Sequence, residues 1–512
     1  MSRECERFLM LDAHGSLLLN QIPSKQFSVF NFQFSIFNLK NMVTFSIALV
    51  ILVLGYFIYG RYISRMFGVD EKRATPAVTK NDGVDYIVMP TWKIFMIQFL
   101  NIAGLGPIFG AIMGAKFGTS SYLWIVFGTI FAGAVHDYLS GMVSIRNDGA
   151  SLPQIVGKYL GKRTEKVMIV FTLLLMVLVV AVFVLQPAQL IAGMTPTNLN
   201  VYFWVVVIFA YYLIATILPI DKVIGNIYPL FGGALMFMAI GILVMLFIKQ
   251  PALPEMWEGF GTKYESGPIF PMMFISIACG AISGFHATQS PLMARCLKTE
   301  RHGRPVFYGA MVVEGIVALI WAAAATAFFQ EHGSNFTAAQ VVDFLCKNWL
   351  GALGGILAIL GVIAAPITSG DTAMRSARLI LADMLHMEQK SISKRLLLCA
   401  PLFAVSLGLL VFSIINANGF TIIWRYFSWC NQTLSVFTLW AITVYLVLEK
   451  KNYFVTYVPA LFMTYVVTTY ICIAPEGFRL PQSLSYAIGT FFTVIAVAWF
   501  NMWKNNKLGI RS

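Results

Sequence analysis

Apolar runs of roughly 20 residues recur from Val43 to Phe500, and each is long enough to cross a hydrocarbon core of ~30 Å. Nothing in that environment hydrogen-bonds a stray backbone group, so each run must satisfy its own amides and carbonyls, as a helix does. The runs fall at 43–60, 93–115, 119–145, 167–190, 201–219, 227–248, 268–290, 305–329, 349–369, 396–416, 421–448, 453–473 and 483–503. They predict an all-α polytopic membrane protein of about 13 transmembrane helices. Composition agrees, because only 12% of residues are charged, about half the share of a soluble domain.

Loop charge gives the orientation. With the segment after the first helix on the cytoplasmic side, cytoplasmic loops and the C-terminus hold 25 Lys and Arg and the opposite loops hold 5. That asymmetry predicts a multi-pass membrane protein with a cytoplasmic C-terminus. It also accounts for the net charge of +13 without nucleic acid, since the basic residues flank helices and form no continuous patch. The seven cysteines stand singly, with no CxxC or other metal-ligand spacing, so neither a disulfide framework nor a metal site is expected. Residues 1–41 are polar-aromatic, as in QFSVFNFQFSIFN, and lack a clear signal-peptide cleavage site. Met42 directly precedes the first apolar run, so 1–41 is read as a non-native or disordered extension.

Two helices carry their own interruptions. The second, KIFMIQFLNIAGLGPIFGAIMGA, has Gly104, Gly106 and Pro107 in mid-span. Proline removes a backbone donor and clashes with the preceding turn, and glycine tolerates non-helical dihedrals. The seventh, PIFPMMFISIACGAISGFHATQSP, crowds Gly280, Ser283, Gly284, His286, Thr288, Gln289 and Ser290 towards one end. Unwound backbone at membrane depth survives only where protein or a watery cavity satisfies it, and paired broken helices commonly build transporter binding sites. The two spans lie five helices apart and cross in opposite directions, as an inverted five-plus-five repeat requires. The simpler alternative is that these glycines only let helices approach closely.

Ionisable groups at bilayer depth are costly and therefore functional candidates. The third helix places His136 beside Asp137, an imidazole–carboxylate pair suited to carrying a coupled proton, or else bonded locally within the packing. The ninth ends IAAPITSGDTAMRSAR, where Pro366 and Gly370 are expected to break the helix and bare the hydroxyls of Thr368 and Ser369 to a small cation or a carboxylate. Asp371 and Arg375, four apart, can pair on one face and serve as a gate or a helix-end anchor. Glu314, Asn431 and Gln432 read as interhelical anchors, and Trp424, Tyr426, Phe427 and Trp429 as an interfacial belt.

Five strings together resemble the carbon starvation protein A (CstA) family in its compact form. They are VDYIVMPTWKIF at Val84, IAGLGPIFGA at Ile102, IFAGAVHDYLSGMVSIRNDGASL at Ile130, ACGAISGFHATQSPLMAR at Ala278 and APITSGDTAMRSARL at Ala365. The resemblance implies uptake of peptides or pyruvate-like carboxylates when better carbon sources run out. It also implies the inverted five-helix repeat of the amino acid-polyamine-cation superfamily. The expected layout is a first helix and cytoplasmic loop at 42–92, a transporter core at 93–448 with repeats about 93–248 and 268–448, and accessory helices at 449–512.

The leading functional reading is a proton- or cation-coupled symporter for a peptide or short carboxylate. Gly104, Gly106, Pro107, Ser283, Gly284 and His286 would hold the solute, and half-helix ends there suit a carboxylate. His136, Asp137, Thr368 and Ser369 are assigned to the coupling proton or sodium ion, and Asp371 and Arg375 to gating. No Walker sequence is present, so nothing in the chain reads as an ATPase, and neither catalysis nor a cofactor is expected. The alternatives are a membrane nutrient sensor and a membrane-embedded redox or haem protein. Only His136 and His286 of the six histidines are placed for haem ligation.

Overall fold

The computed structural model describes residues 42–83, 86–217, 220–265, 267–387, 391–416 and 418–509; the extension 1–41 lies outside them. Among the described residues every long element is a helix. α1 (Val43–Phe57) runs almost directly into α2 (Tyr59–Phe67), which stops where Gly68 turns left-handed at φ 70°. The start of α1 is tied down by Glu255, whose carboxylate accepts the Val43 and Thr44 amides, each at 2.8 Å. A negative group there meets the positive end of the helix dipole.

The next two apolar runs form α3 (Thr91–Ile102), α4 (Leu105–Ala115) and α5 (Ala134–Arg146). Wide π-type turns over Trp124–Gly133 feed α5. A Ser151–Gln154 capping box starts α6 (Leu152–Leu160), followed by α7 (Lys162–Ala192), α8 (Val201–Ile217) and α9 (Ile220–Lys249). The second half comprises α10 (Ile269–Ser276), α11 (His286–Ala294), α12 (Ala310–His332) and α13 (Ala338–Met384). It closes with α14 (Ile392–Ile415), α15 (Gly419–Leu448), α16 (Phe454–Ile473) and α17 (Gln482–Leu508).

Ten described helices are long and apolar enough to cross a membrane, or eleven if the bent pair α3–α4 is one span. The remaining two apolar runs differ: α8 is shorter, and the seventh run is split between α10 and α11 by a non-helical stretch over 277–285. The chain is a multi-span membrane protein. Its helices sort by burial, with 89% of the best apolar window around α12 covered by other helices and 17% of that in α17. Outer residues such as Phe491 and Val494 are exposed, as surface facing hydrocarbon can be.

Two expectations from the sequence fail here. α13 runs unbroken through Pro366 and Gly370, so neither residue ends a helix. The Tyr212 hydroxyl donates to the Pro366 carbonyl at 2.9 Å, tying α13 to α8 at this turn, and Thr368 bonds back to Ala364 and Ala365 within the helix. Gly370 serves close approach instead: a β-carbon there would stand 2.2 Å from the Tyr212 hydroxyl oxygen. The aromatic belt fails for two of its four members, Tyr426 and Trp429 being half-buried. Trp424 and Phe427 are buried, against Phe109 and Phe183 respectively, because α15 is an inner helix whose aromatic face has nowhere else to go.

Candidate functional site

Both predicted interruptions are present, and they meet. α3 ends at Ile102 and α4 starts at Leu105, with a bend of 45° between them. A β-carbon on Gly106 would lie 2.3 Å from the β-carbon of Cys279, and one on Gly110 would lie 3.1 Å from the Ser276 carbonyl. The first break is therefore pressed onto the entrance to the second. Ser369 flanks the first break from α13, its hydroxyl donating to the Asn101 carbonyl at 3.1 Å and lying 3.3 Å from where a Gly104 β-carbon would be. Thr368 spends its hydroxyl within its own helix.

The non-helical stretch 277–285 is paired almost group by group with side chains of other helices. Gly280, at φ 86°, donates its amide to Glu314 Oε1 at 3.0 Å, and its carbonyl accepts from Thr129 at 2.8 Å. Asn431 of α15 does most of the rest. Its Oδ1 accepts the Phe285 amide at 2.7 Å and the Ser283 hydroxyl at 3.0 Å, and its Nδ2 donates to the Ala278 carbonyl at 3.1 Å. Gln432 donates to the same carbonyl at 3.1 Å. Gly284 admits α15: a β-carbon there would sit 2.3 Å from the Asn431 carbonyl oxygen. The anchor role expected of Asn431, Gln432 and Glu314 is what these contacts show, with the unwound loop as their target.

Four buried ionisable side chains run through the same place. His136 Nδ1 lies 2.8 Å from Asp137 Oδ1, and the other Asp137 oxygen lies 2.9 Å from His286 Nδ1. His286 Nε2 in turn stands 3.4 Å from Glu314 Oε2. All four side chains have no exposure. The coupling candidates His136 and Asp137 are thus continuous with Ser283, Gly284 and His286 of the solute candidates, whereas Thr368 and Ser369 stand at the other break. Asp371 and Arg375 pair at 3.9 Å as their spacing predicted, but beside α8, where Tyr211 donates to Asp371 and Arg375 to the Ala215 carbonyl. The sequence offered no sign of Cys279 or of the wide turns at 124–133, since neither has a local signature.

A cavity of about 550 Å³ opens on the side of the basic loops, lined by Thr288 and Arg295 near α11, Ser376 and Asp383 of α13, and the segment Asn147–Gln154. Thr288 lies within one turn of His286, so the cavity reaches close to the second break.

This is a helical membrane bundle in which two broken helices meet around buried acids and imidazoles. It superposes on the manganese transporter of Eremococcus coleocola with a TM-score of 0.52 at 12% identity, covering 83% of this chain and 97% of that one. The profile of the family described as carbon starvation protein CstA matches residues 40–199, 188–343 and 334–470, and the chain belongs to that family. Relatives include an uncharacterized membrane protein of Haemophilus influenzae, 43% identical over 56% of this chain and 92% of that protein. The peptide transporter CstA of Escherichia coli is 26% identical over 78% of this chain and 76% of its own length. The pyruvate/proton symporter BtsT of the same organism is 27% identical over 54% of this chain and 47% of its own.

Proposed function

We propose that the chain is a secondary active symporter that takes up a short carboxylate such as pyruvate, or a peptide, with a proton or another small cation. One observation carries this reading: two interrupted helices abut at Gly106 and Cys279, with the chain from His136 through Asp137 and His286 to Glu314 on one flank. The solute is assigned to the junction of the breaks, which parts to admit it, contacting Gly104, Gly106 and Pro107 on one side and Ser283, Gly284 and His286 on the other. The amide ends of α4 and α11 favour a carboxylate there, because helix N-termini carry partial positive charge. His136 and Asp137 take the coupling proton, with Thr368 and Ser369 serving a cation at the first break. Asp371 and Arg375 gate the route beside α8.

In this reading spans two to six and seven to eleven are the two arms of an inverted repeat. The cavity lined by Thr288 and Arg295 is the cytoplasmic exit in a bacterial inner membrane. One bundle rocks against the other to alternate access. Residues 42–92 and 449–512 are accessory to this 93–448 core.

The test is a panel of pyruvate and dipeptides in proteoliposomes, with and without imposed pH and sodium gradients. Accumulation above equilibrium with one gradient supports symport and names the ion. Solute binding with no accumulation under any gradient would favour a sensor instead. A Soret band in the purified protein would move the reading to a haem protein.

A further inference from the structure

We propose that Cys279, His286 and Glu314 form a binding site for a divalent transition metal ion of the zinc class. Their ligand atoms lie within 4.8 Å of one another, and the residues are 4%, 0% and 0% exposed. The three come from different elements: the unwound loop, the start of α11 and the early turns of α12. That is why no ligand spacing marks them in the sequence.

The chemistry of the imidazole points the same way. His286 Nδ1 faces a carboxylate oxygen of Asp137 at 2.9 Å and donates to it, so it is Nε2, directed at Glu314, that gives up any proton and offers its lone pair when an ion binds. Neither His286 Nε2 nor Glu314 Oε2 has a hydrogen-bond partner, although both atoms are buried. A carboxylate behind a histidine, fixing its tautomer and raising its basicity, is the usual support of a metal-bound imidazole. The other two donors are steadied as well. Glu314 Oε1 is held by the Gly280 amide at 3.0 Å, and Cys279 Sγ lies 3.3 Å from the Ser283 hydroxyl and 3.4 Å from Asn431 Nδ2.

One sulfur, one nitrogen and one oxygen donor suit zinc or cobalt and disfavour magnesium or calcium. Bond lengths to such an ion put donors about 3.3–3.6 Å apart, so the trio must close by roughly 1 Å. Cys279 sits in a non-helical stretch, so it can shift without breaking a helical hydrogen bond. Three protein ligands leave a fourth position for water. On binding, the Cys279 thiol proton is released to water as the sulfur–metal bond forms.

This inference shares His286 and Glu314 with the transport reading but does not need it, and is tested without transport on purified full-length protein, stripped of metal and free of any affinity tag. Cobalt titration should produce a thiolate-to-cobalt charge-transfer band that saturates at one ion per chain and is abolished by excess zinc. Cys279→Ser should lose the band, Cys430→Ser should keep it, and Asp137→Asn should weaken cobalt binding about 10- to 100-fold through the lost support of His286. Absence of the band in the wild-type protein, or its survival in Cys279→Ser, overturns the proposal. Should Cys279→Ser fail to elute as a folded species, His286→Gln serves in its place. A band of wild-type intensity and affinity in that variant would also overturn it.

Discussion

Replacing Asn431 with alanine tests whether the unwound stretch is held by one side chain. In the native protein the Asn431 amide accepts from the Phe285 N–H at 2.7 Å and from the Ser283 hydroxyl at 3.0 Å, and donates to the Ala278 carbonyl at 3.1 Å. Truncation does not strand the Ala278 carbonyl, because Gln432 donates to it as well. It does strand the buried Phe285 amide, at a cost of about 1–3 kcal/mol. Loss of the Ser283 bond adds about 0.5–1.5 kcal/mol. The sum, about 1.5–4.5 kcal/mol, makes local opening of 277–285 roughly 10- to 1,600-fold more frequent. Cys279 lies inside that stretch and is buried, so its maleimide labelling rate in a background without the other cysteines reports the opening directly. Asn431→Asp retains the acceptor for Phe285 and should label at an intermediate rate. If Asn431→Ala labels Cys279 at the wild-type rate, the argument that this side chain holds the break is wrong.

Three further outcomes are expected. Gly106→Leu should abolish solute binding, since even a β-carbon at that position meets Cys279 at 2.3 Å; wild-type affinity in a binding assay would contradict the placement of the solute between the breaks. Alanine at His136 or Asp137 should eliminate uptake driven by a pH gradient yet leave counterflow exchange measurable, and unchanged driven uptake would remove both residues from coupling. Tyr212→Phe deletes the one hydroxyl shared between the Pro366 and Phe183 carbonyls, at 2.9 and 3.1 Å, and strands the Phe183 carbonyl, which Pro187 leaves without a helical donor; it should destabilise the protein by about 1–3 kcal/mol in thermal unfolding. An unaltered melting profile would mean that α7 passes through Pro187 without that hydroxyl.

Apolar length and glycine–proline content are local properties, so the sequence alone determined that this chain is a helical membrane protein whose second and seventh apolar runs are interrupted near Gly104 and Gly280. The i,i+4 pairing of Asp371 with Arg375 was legible for the same reason. Tertiary structure decided everything that depends on a partner far along the chain. Proline at 366 reads as a helix breaker, yet α13 continues straight through it, held against α8 by a Tyr212 hydroxyl 154 residues away. His286 finds Asp137 from 149 residues away, and Glu314 finds the Gly280 amide across 34. A buried polar group in a membrane must have a partner, but nothing in its own neighbourhood says which helix supplies it. Helix packing makes that choice, and it draws the histidines, the acids and the unwound loop together at one point.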